Sequence, residues 1–250
     1  GKVTGVRIGY VTVIEADIVV SCAVFWGPAI GDMIGMRVPL LPLAHQYVTS
    51  DALPELAGRN PGPNGASLPI LRHQDKDLYY REHGDRIGIG SYAHRPILHD
   101  PDEIPSIEES ALSPTELPFT EDDFVQQMEH ALELMPEIVG DESVGVKYAI
   151  NGLLSLTPDT LPILGETPEV KGLWSVAAVW VKEGPGVGKS VAEWMVNGES
   201  HIDLHSSDIS RFHDHQKTRA HTKARAFEAF PKTYGIVHPA EQWSSERGLR

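Results

Sequence analysis

Three short runs, Leu68 to His73, Leu78 to His83 and Ile87 to Tyr92, follow one another with only turn-formers such as Asp75 and Gly84-Asp85 between them. Links this short let consecutive strands pair only antiparallel, so the spacing predicts a meander. Leu40 to Thr49 precedes it in the same style. Two excursions interrupt the pattern. Asp51 to Ser67 is rich in Gly, Pro and Asn, and Pro96 to Pro118 in Pro, Asp and Glu, and both read as surface loops.

The segments on either side differ in kind. Val3 to Val13 and Ala16 to Ala23 are rich in β-branched residues and predict two successive strands. The second is apolar almost throughout, as expected of a parallel strand covered on both faces. Phe25 to Met36 sets Ile30, Met33 and Ile34 at helical spacing, with Gly27, Gly31 and Gly35 allowing close packing. Thr120 and Asp123 suggest a capping box before a helix carrying Phe124, Met128, Ala131, Met135 and Ile138. Strand-like runs Val146 to Leu156 and Leu173 to Val181 come next, then a glycine-rich turn Gly184 to Gly188 and a helix from about Lys189 to Val196. The expected class is α/β with an inserted α+β domain whose sheet is mainly antiparallel. Beyond His201 the chain is polar and patchily basic and reads as an extension or linker.

With 250 residues, 41% of them hydrophobic, the chain can bury one large core or two smaller ones. A formal charge of -14 argues against nucleic acid and anionic membranes as partners, because both select clustered Lys and Arg. No apolar stretch reaches the roughly 20 residues of a membrane span, and no signal-peptide layout opens the chain, so it reads as soluble. The single cysteine, Cys22, rules out an internal disulfide, is expected to be a small buried hydrophobe and fits a reducing compartment.

Several motifs mislead. Gly184-Pro-Gly-Val-Gly-Lys-Ser190 looks like a phosphate loop, but the position for its first glycine is Glu183, a carboxylate that would repel phosphate. Amides at such a helix start still suit other oxygens, including those of a flavin or its phosphates. His205, His213, His215 and His221 lack the ordered partners of a metal site, and no metal is expected. Phe25 with Trp26 and Trp174 with Trp180 read as core packing, and Glu82, Asp85 and Glu183 as solvated carboxylates.

Longer strings carry a resemblance. Ala16-Asp-Ile-Val-Val-Ser-Cys-Ala23, Val38-Pro-Leu-Leu-Pro-Leu-Ala-His-Gln-Tyr-Val48 and Leu68-Pro-Ile-Leu-Arg-His-Gln-Asp-Lys-Asp-Leu-Tyr-Tyr-Arg-Glu-His-Gly-Asp85 are similar to the flavoprotein half of the dimethylglycine oxidase, dimethylglycine dehydrogenase and sarcosine dehydrogenase family. Asn151-Gly152, Thr157-Pro-Asp159, Pro162, Leu164-Gly-Glu166 and Ala178-Val-Trp-Val181 continue it, so that it covers nearly the whole chain.

The resemblance implies an FAD-dependent amine oxidoreductase with an FAD domain interleaved with a substrate domain. Residues 1–37 and 151–200 would be FAD-domain pieces, 38–150 the substrate domain, and 201–250 an extension towards a folate-binding domain. The dinucleotide-binding opening would precede Gly1, so that little catalysis is expected of these residues alone. The implied cofactor is FAD, with tetrahydrofolate acting only through the further domain. The implied substrate is a small N-methyl amino acid, in the cytoplasm or, in a eukaryote, the mitochondrial matrix. By local motif, the catalytic histidine and tyrosine fall on His45 and Tyr79. Tyr79, Val179, Trp180, Val181 and Lys182 are the implied flavin contacts, and Arg72 and Arg81 are candidates for the substrate carboxylate. Two departures stand out: Val24 where relatives have Gly, and Lys182-Glu183 where they have a Thr-His type of pair. A flavin-free interaction or regulatory relative is the alternative reading.

Overall fold

The computed structural model describes residues 1–110, 113–140, 143–236 and 238–240. Its elements run β1 (Gly5–Ile8), β2 (Thr12–Glu15), β3 (Val19–Ser21), α1 (Gly27–Asp32), β4 (Leu41–Ser50), β5 (Leu71–His73), β6 (Leu78–His83) and β7 (Arg86–Ser91). They continue with β8 (Glu116–Leu117), α2 (Val125–Leu134), α3 (Pro136–Val139), β9 (Val146–Leu156), β10 (Ile163–Glu166), β11 (Leu173–Ala177), α4 (Gly184–Asn197) and α5 (Arg219–Ala229). Within the described residues the chain forms two compact units. One comprises Gly1–Pro42 and Leu154–Ala229, and the other comprises Leu43–Leu153 and residues 230–240.

The second unit holds the six-stranded sheet β5-β6-β7-β4-β9-β8. Antiparallel β5·β6 and β6·β7 ladders realise the meander, and β6 spans the six residues expected, whereas β5 is cut to Leu71–His73 and β4 pairs with β7 rather than with β5, the next strand in the chain. Strict alternation gives each strand two faces. Val48, Leu78, Tyr80 and Ile89 point to one side, where Phe124 and Ala131 complete a buried cluster with Met128 and Met135 against it. The excursion 51–67 is a loop with one 3-10 turn, Pro54–Leu56. The other, 96–118, has a 3-10 turn at Pro101–Glu103 and ends in β8, while Ala111 and Leu112 lie outside the described residues.

The capping box does not form. The Thr120 side chain makes no capping bond. Gln46, buried in β4, takes the place meant for the Asp123 carboxylate by accepting from Thr120 N at 2.9 Å, and it also donates to Thr120 O at 3.3 Å. Asp123 instead pairs with Arg95. The chain then enters α2 through the 3-10 turn Glu121–Asp123.

The first unit holds the sheet β10-β11-β3, in which β11 is parallel to β3 and antiparallel to β10. The parallel pair is the α/β signature the sequence suggested. Elsewhere the expectations need correction. Val3 to Val13 is not one strand but part of the β1·β2 hairpin, because Gly9 turns with φ 58°. The apolar run 16–23 yields only three strand residues, with Ile18 45% and Val20 39% exposed. Cys22 is exposed rather than buried. The helix expected over 25–36 divides into a 3-10 turn, Val24–Trp26, and α1, which ends before Gly35 at φ 75°.

Strand β11 stops four residues short of Val181, since Ala178 takes φ 53° and breaks the extended run. Helix α4 starts at Gly184, not Lys189, because Pro185 presets the first helical turn and the glycines follow it into the helix. Leu164, Trp174 and Val191 form this unit's buried cluster, and the partner of Trp174 is Trp194, not Trp180, with centroids 5.2 Å apart. The described residues beyond 201 contain four 3-10 turns and α5, which buries Thr222, Arg225, Ala226 and Ala229. Of the expected extension 201–250, residue 237 and residues 241–250 lie outside the described residues.

Candidate active site

The polar face of the six-stranded sheet is built by two strands whose odd residues face the same way. On β4 these are His45, Tyr47 and Thr49, and on β6 they are Tyr79, Arg81 and His83, all half-buried, while their neighbours are buried on the other face. Strand β7 runs between them, and its register sets Gly90 opposite both Tyr47 and Tyr79, and Gly88 opposite both Thr49 and Arg81. A Cβ at Gly90 would fall 2.1 Å from Tyr79 Cζ, and one at Gly88 1.6 Å from Tyr47 Oη. Neither glycine has a positive φ. Space, not backbone conformation, therefore requires glycine here, and the two phenol rings lie across a floor without side chains.

Over that floor His45 Nε2 and Tyr79 Oη are 2.9 Å apart. The His45 ring also stacks on Tyr92 at 3.9 Å and 11°. Its Nδ1 is shut off from solvent and has no partner among the described residues. Burial, assisted by His94, holds the imidazole down to a pKa of about 3. Burial likewise raises the Tyr79 phenol, with Tyr92 and Tyr47 adding to the effect. Both members are uncharged at neutral pH.

A second chain of contacts lies beside the first. Tyr47 Oη and His83 Nε2 are 2.8 Å apart, and Arg81 Nη1 donates to His83 Nδ1 at 2.8 Å. Burial pushes the Tyr47 phenol up to about 12, and burial with Arg81 lowers His83. Tyr47 and Tyr79 face each other at 5.7 Å. On the far side of Tyr79, the Arg72 guanidinium sits over the Tyr79 and Tyr234 rings at 5.3 and 4.4 Å.

The other predicted contacts belong to the first unit. Val179 and Trp180 are half-buried, whereas Val181, at 96%, and Lys182 are exposed on the loop from β11 to α4. Trp180 Nε1 donates to Ser155 O at 3.1 Å. Lys182 pairs with Glu183, whose carboxylate also accepts from Trp180 N at 3.4 Å, so Glu183 turns back onto its own loop. Gly184, Gly186 and Gly188 open α4 with nothing within 4 Å of the position a Cβ would take. The helix start is bare of side chains, but its amides are largely used: Glu183 N and Gly184 N donate to Trp180 O at 2.9 and 3.2 Å, Val187 N donates to Glu183 O at 2.9 Å, and Pro185 has no N–H.

The family described as FAD dependent oxidoreductase matches residues 1–194. The chain belongs to this family. The FAD dependent oxidoreductase central domain matches residues 197–250. Human mitochondrial sarcosine dehydrogenase is 30% identical over 244 residues, 95% of this chain and 24% of that protein. Rat mitochondrial dimethylglycine dehydrogenase is 26% identical over 239 residues, 92% of this chain and 26% of that protein. The chain thus spans about a quarter of the length of these curated relatives. Its fold is shared with a fructosyl peptide oxidase at TM-score 0.63 and 16% identity, over 97% of this chain and 54% of that one. As a member of the FAD dependent oxidoreductase family with sarcosine and dimethylglycine dehydrogenases among its relatives, the chain has the ancestry its sequence strings suggested.

In this family member the structure joins His45 to Tyr79 in one unit and sets Val179 to Lys182 in the other. Sequence reasoning passed over Tyr47, His83 and Tyr92, and over Gly88 and Gly90. The signal was present as His-x-Tyr, Tyr-x-Arg-x-His and Gly-x-Gly, three period-two patterns that acquire meaning only once β4, β7 and β6 are known to be neighbours. It also misjudged Glu82, which is buried and accepts from Ser67 N at 2.8 Å and Leu68 N at 3.0 Å.

Proposed function

We propose that the protein oxidises the N-methyl group of dimethylglycine or sarcosine, passing a hydride from the methyl carbon to FAD and leaving an iminium that hydrolyses to formaldehyde. The observation that carries this reading is the uncharged His45–Tyr79 pair set among stacked aromatic rings. An N-methyl amine must present a free lone pair, and positive charge builds on nitrogen as the hydride leaves. The faces of Tyr79, Tyr92 and Tyr47 offer negative quadrupole density to such a cation. His45, held neutral by burial, adds no opposing charge and accepts or relays a proton through the Tyr79 hydroxyl.

FAD supplies the two-electron acceptor, and Val179, Trp180, Val181, Lys182 and Tyr79 are its assigned contacts. Residues 1–37 and 151–200 are assigned to the FAD domain, 38–150 to the substrate domain and 201–250 to an extension, and capture of the one-carbon unit by tetrahydrofolate to a further domain. A small zwitterionic substrate agrees with the charge of -14, and the reading sites the protein in the cytoplasm or mitochondrial matrix. The test is anaerobic mixing of the full-length flavoprotein with either amine. Bleaching of the flavin band is expected, with His45→Ala slowing it far more than it weakens flavin binding. A spectrum that neither amine changes overturns the proposal. The locally satisfied Lys182–Glu183 pair favours a second reading, a flavin-free relative, which predicts no yellow cofactor on the full-length protein at all.

A further inference from the structure

We infer that Tyr47, oriented by His83 and Arg81, is the donor that holds the substrate carboxylate. The substrate class rests on the function proposed above, but the donor logic stands on geometry alone.

A guanidinium has only hydrogens to offer, so the 2.8 Å contact from Arg81 Nη1 makes His83 Nδ1 an acceptor. A neutral imidazole with Nδ1 accepting carries its proton on Nε2. That proton points at Tyr47 Oη, 2.8 Å away, and occupies an oxygen lone pair. The phenol hydrogen is thereby directed elsewhere, and no described residue accepts it. Arg81 is itself fixed, since Nη2 donates to Asn64 O at 3.2 Å. The chain from Arg81 through His83 to Tyr47 thus ends in an O–H polarised by a cation, on a ring whose centroid is 5.7 Å from that of Tyr79. Such a donor favours an anionic acceptor.

Two arginines could compete for this role. Arg72 is exposed and stacked on Tyr79 and Tyr234, where solvent screens its charge. Arg81 acts at one remove, so that its charge arrives at Tyr47 as a directed hydrogen bond. It and His83 are positioning residues.

The test uses the full-length flavoprotein and two probes: dimethylglycine against its carboxamide in turnover, and methoxyacetate, a carboxylate without an amine, in calorimetry. Tyr47→Phe is expected to raise KM for dimethylglycine more than it lowers kcat. It should also weaken methoxyacetate roughly 10- to 100-fold, the usual range for a hydrogen bond to a charged group, and erase the preference for acid over amide. Arg81→Met should reproduce the effect in part and Arg81→Lys restore it. The inference falls if Tyr47→Phe binds methoxyacetate as wild type does, or if Arg72→Met erases the preference and Tyr47→Phe does not. Should no amine bleach the flavin while methoxyacetate binding still depends on Tyr47, the proposed reaction fails and the carboxylate site stands.

Discussion

His45 illustrates how one side chain ties chemistry to stability. Its imidazole has a pKa of about 3 in the fold against 6.5 when free, so the unfolded chain binds its proton more readily. The stability it contributes is complete above pH 6.5 and drains away as the pH falls towards 3, by about 1.4 kcal/mol per pH unit. Comparing urea midpoints of wild type and the non-titrating His45→Gln isolates this effect. The wild-type advantage should shrink by about 2 kcal/mol between pH 6.5 and 5, and a pH-independent difference would refute the burial argument. Gly90 gives a second prediction. Ala at this position drives Cβ into Tyr79 and costs about 1–3 kcal/mol of stability, the usual toll of overpacking. It should also break the His45 contact, so that Gly90→Ala slows flavin reduction about as much as Tyr79→Phe does, with no further loss in the double variant. His45 and Tyr79 were singled out through local motifs of the resembled family, and the structure sets the two side chains 2.9 Å apart. Gly90 was not singled out, since its reason for being glycine is a ring on a neighbouring strand.

At the scale of elements, the meander was readable because period-two alternation and tight turns are local properties of the chain. Segments whose state depends on distant partners were not. Helix α4 hides its start behind glycines, and α5 is too polar to show an apolar stripe, yet it buries Arg225. The Asp51–Ser67 loop looked like an independent surface excursion, but Glu82 pins its end with two backbone N–H bonds and the Ser67 hydroxyl at 3.2 Å. Those bonds hold the Glu82 carboxyl below its usual range, with Arg59 adding to them. A depressed carboxylate pKa stabilises the fold above the unfolded value and loses that contribution as the pH drops through the folded one. Glu82→Gln should therefore cost about 1–3 kcal/mol at neutral pH, and less in acid. Protease cleavage should rise within residues 51–67, and an unchanged cleavage pattern would show that the clamp does not govern the loop.

For the whole molecule, the sequence order conceals which segments belong together. Strand β3 gains its ladder only when β11 arrives from far along the chain, and that pairing could not be read from either segment. Each unit nonetheless has its own buried cluster: Leu164, Trp174 and Val191 in one, and Val48, Leu78, Tyr80, Ile89, Phe124 and Ala131 in the other. Self-contained cores open separately when one is damaged. Ser175, buried at the centre of β11, is paired with Gly165 on one side and Ser21 on the other. Proline there removes a ladder donor and is tolerated only on edges, so Ser175→Pro strikes the three-stranded sheet at its middle. Hydrogen exchange followed by mass spectrometry should show protection lost together in Val19–Ser21, Ile163–Glu166 and Leu173–Ala177, while Leu78–His83 and Arg86–Ser91 keep theirs. A loss spread evenly over both sheets would mean that the chain unfolds as one cooperative body, and that the two cores are not independent sources of stability.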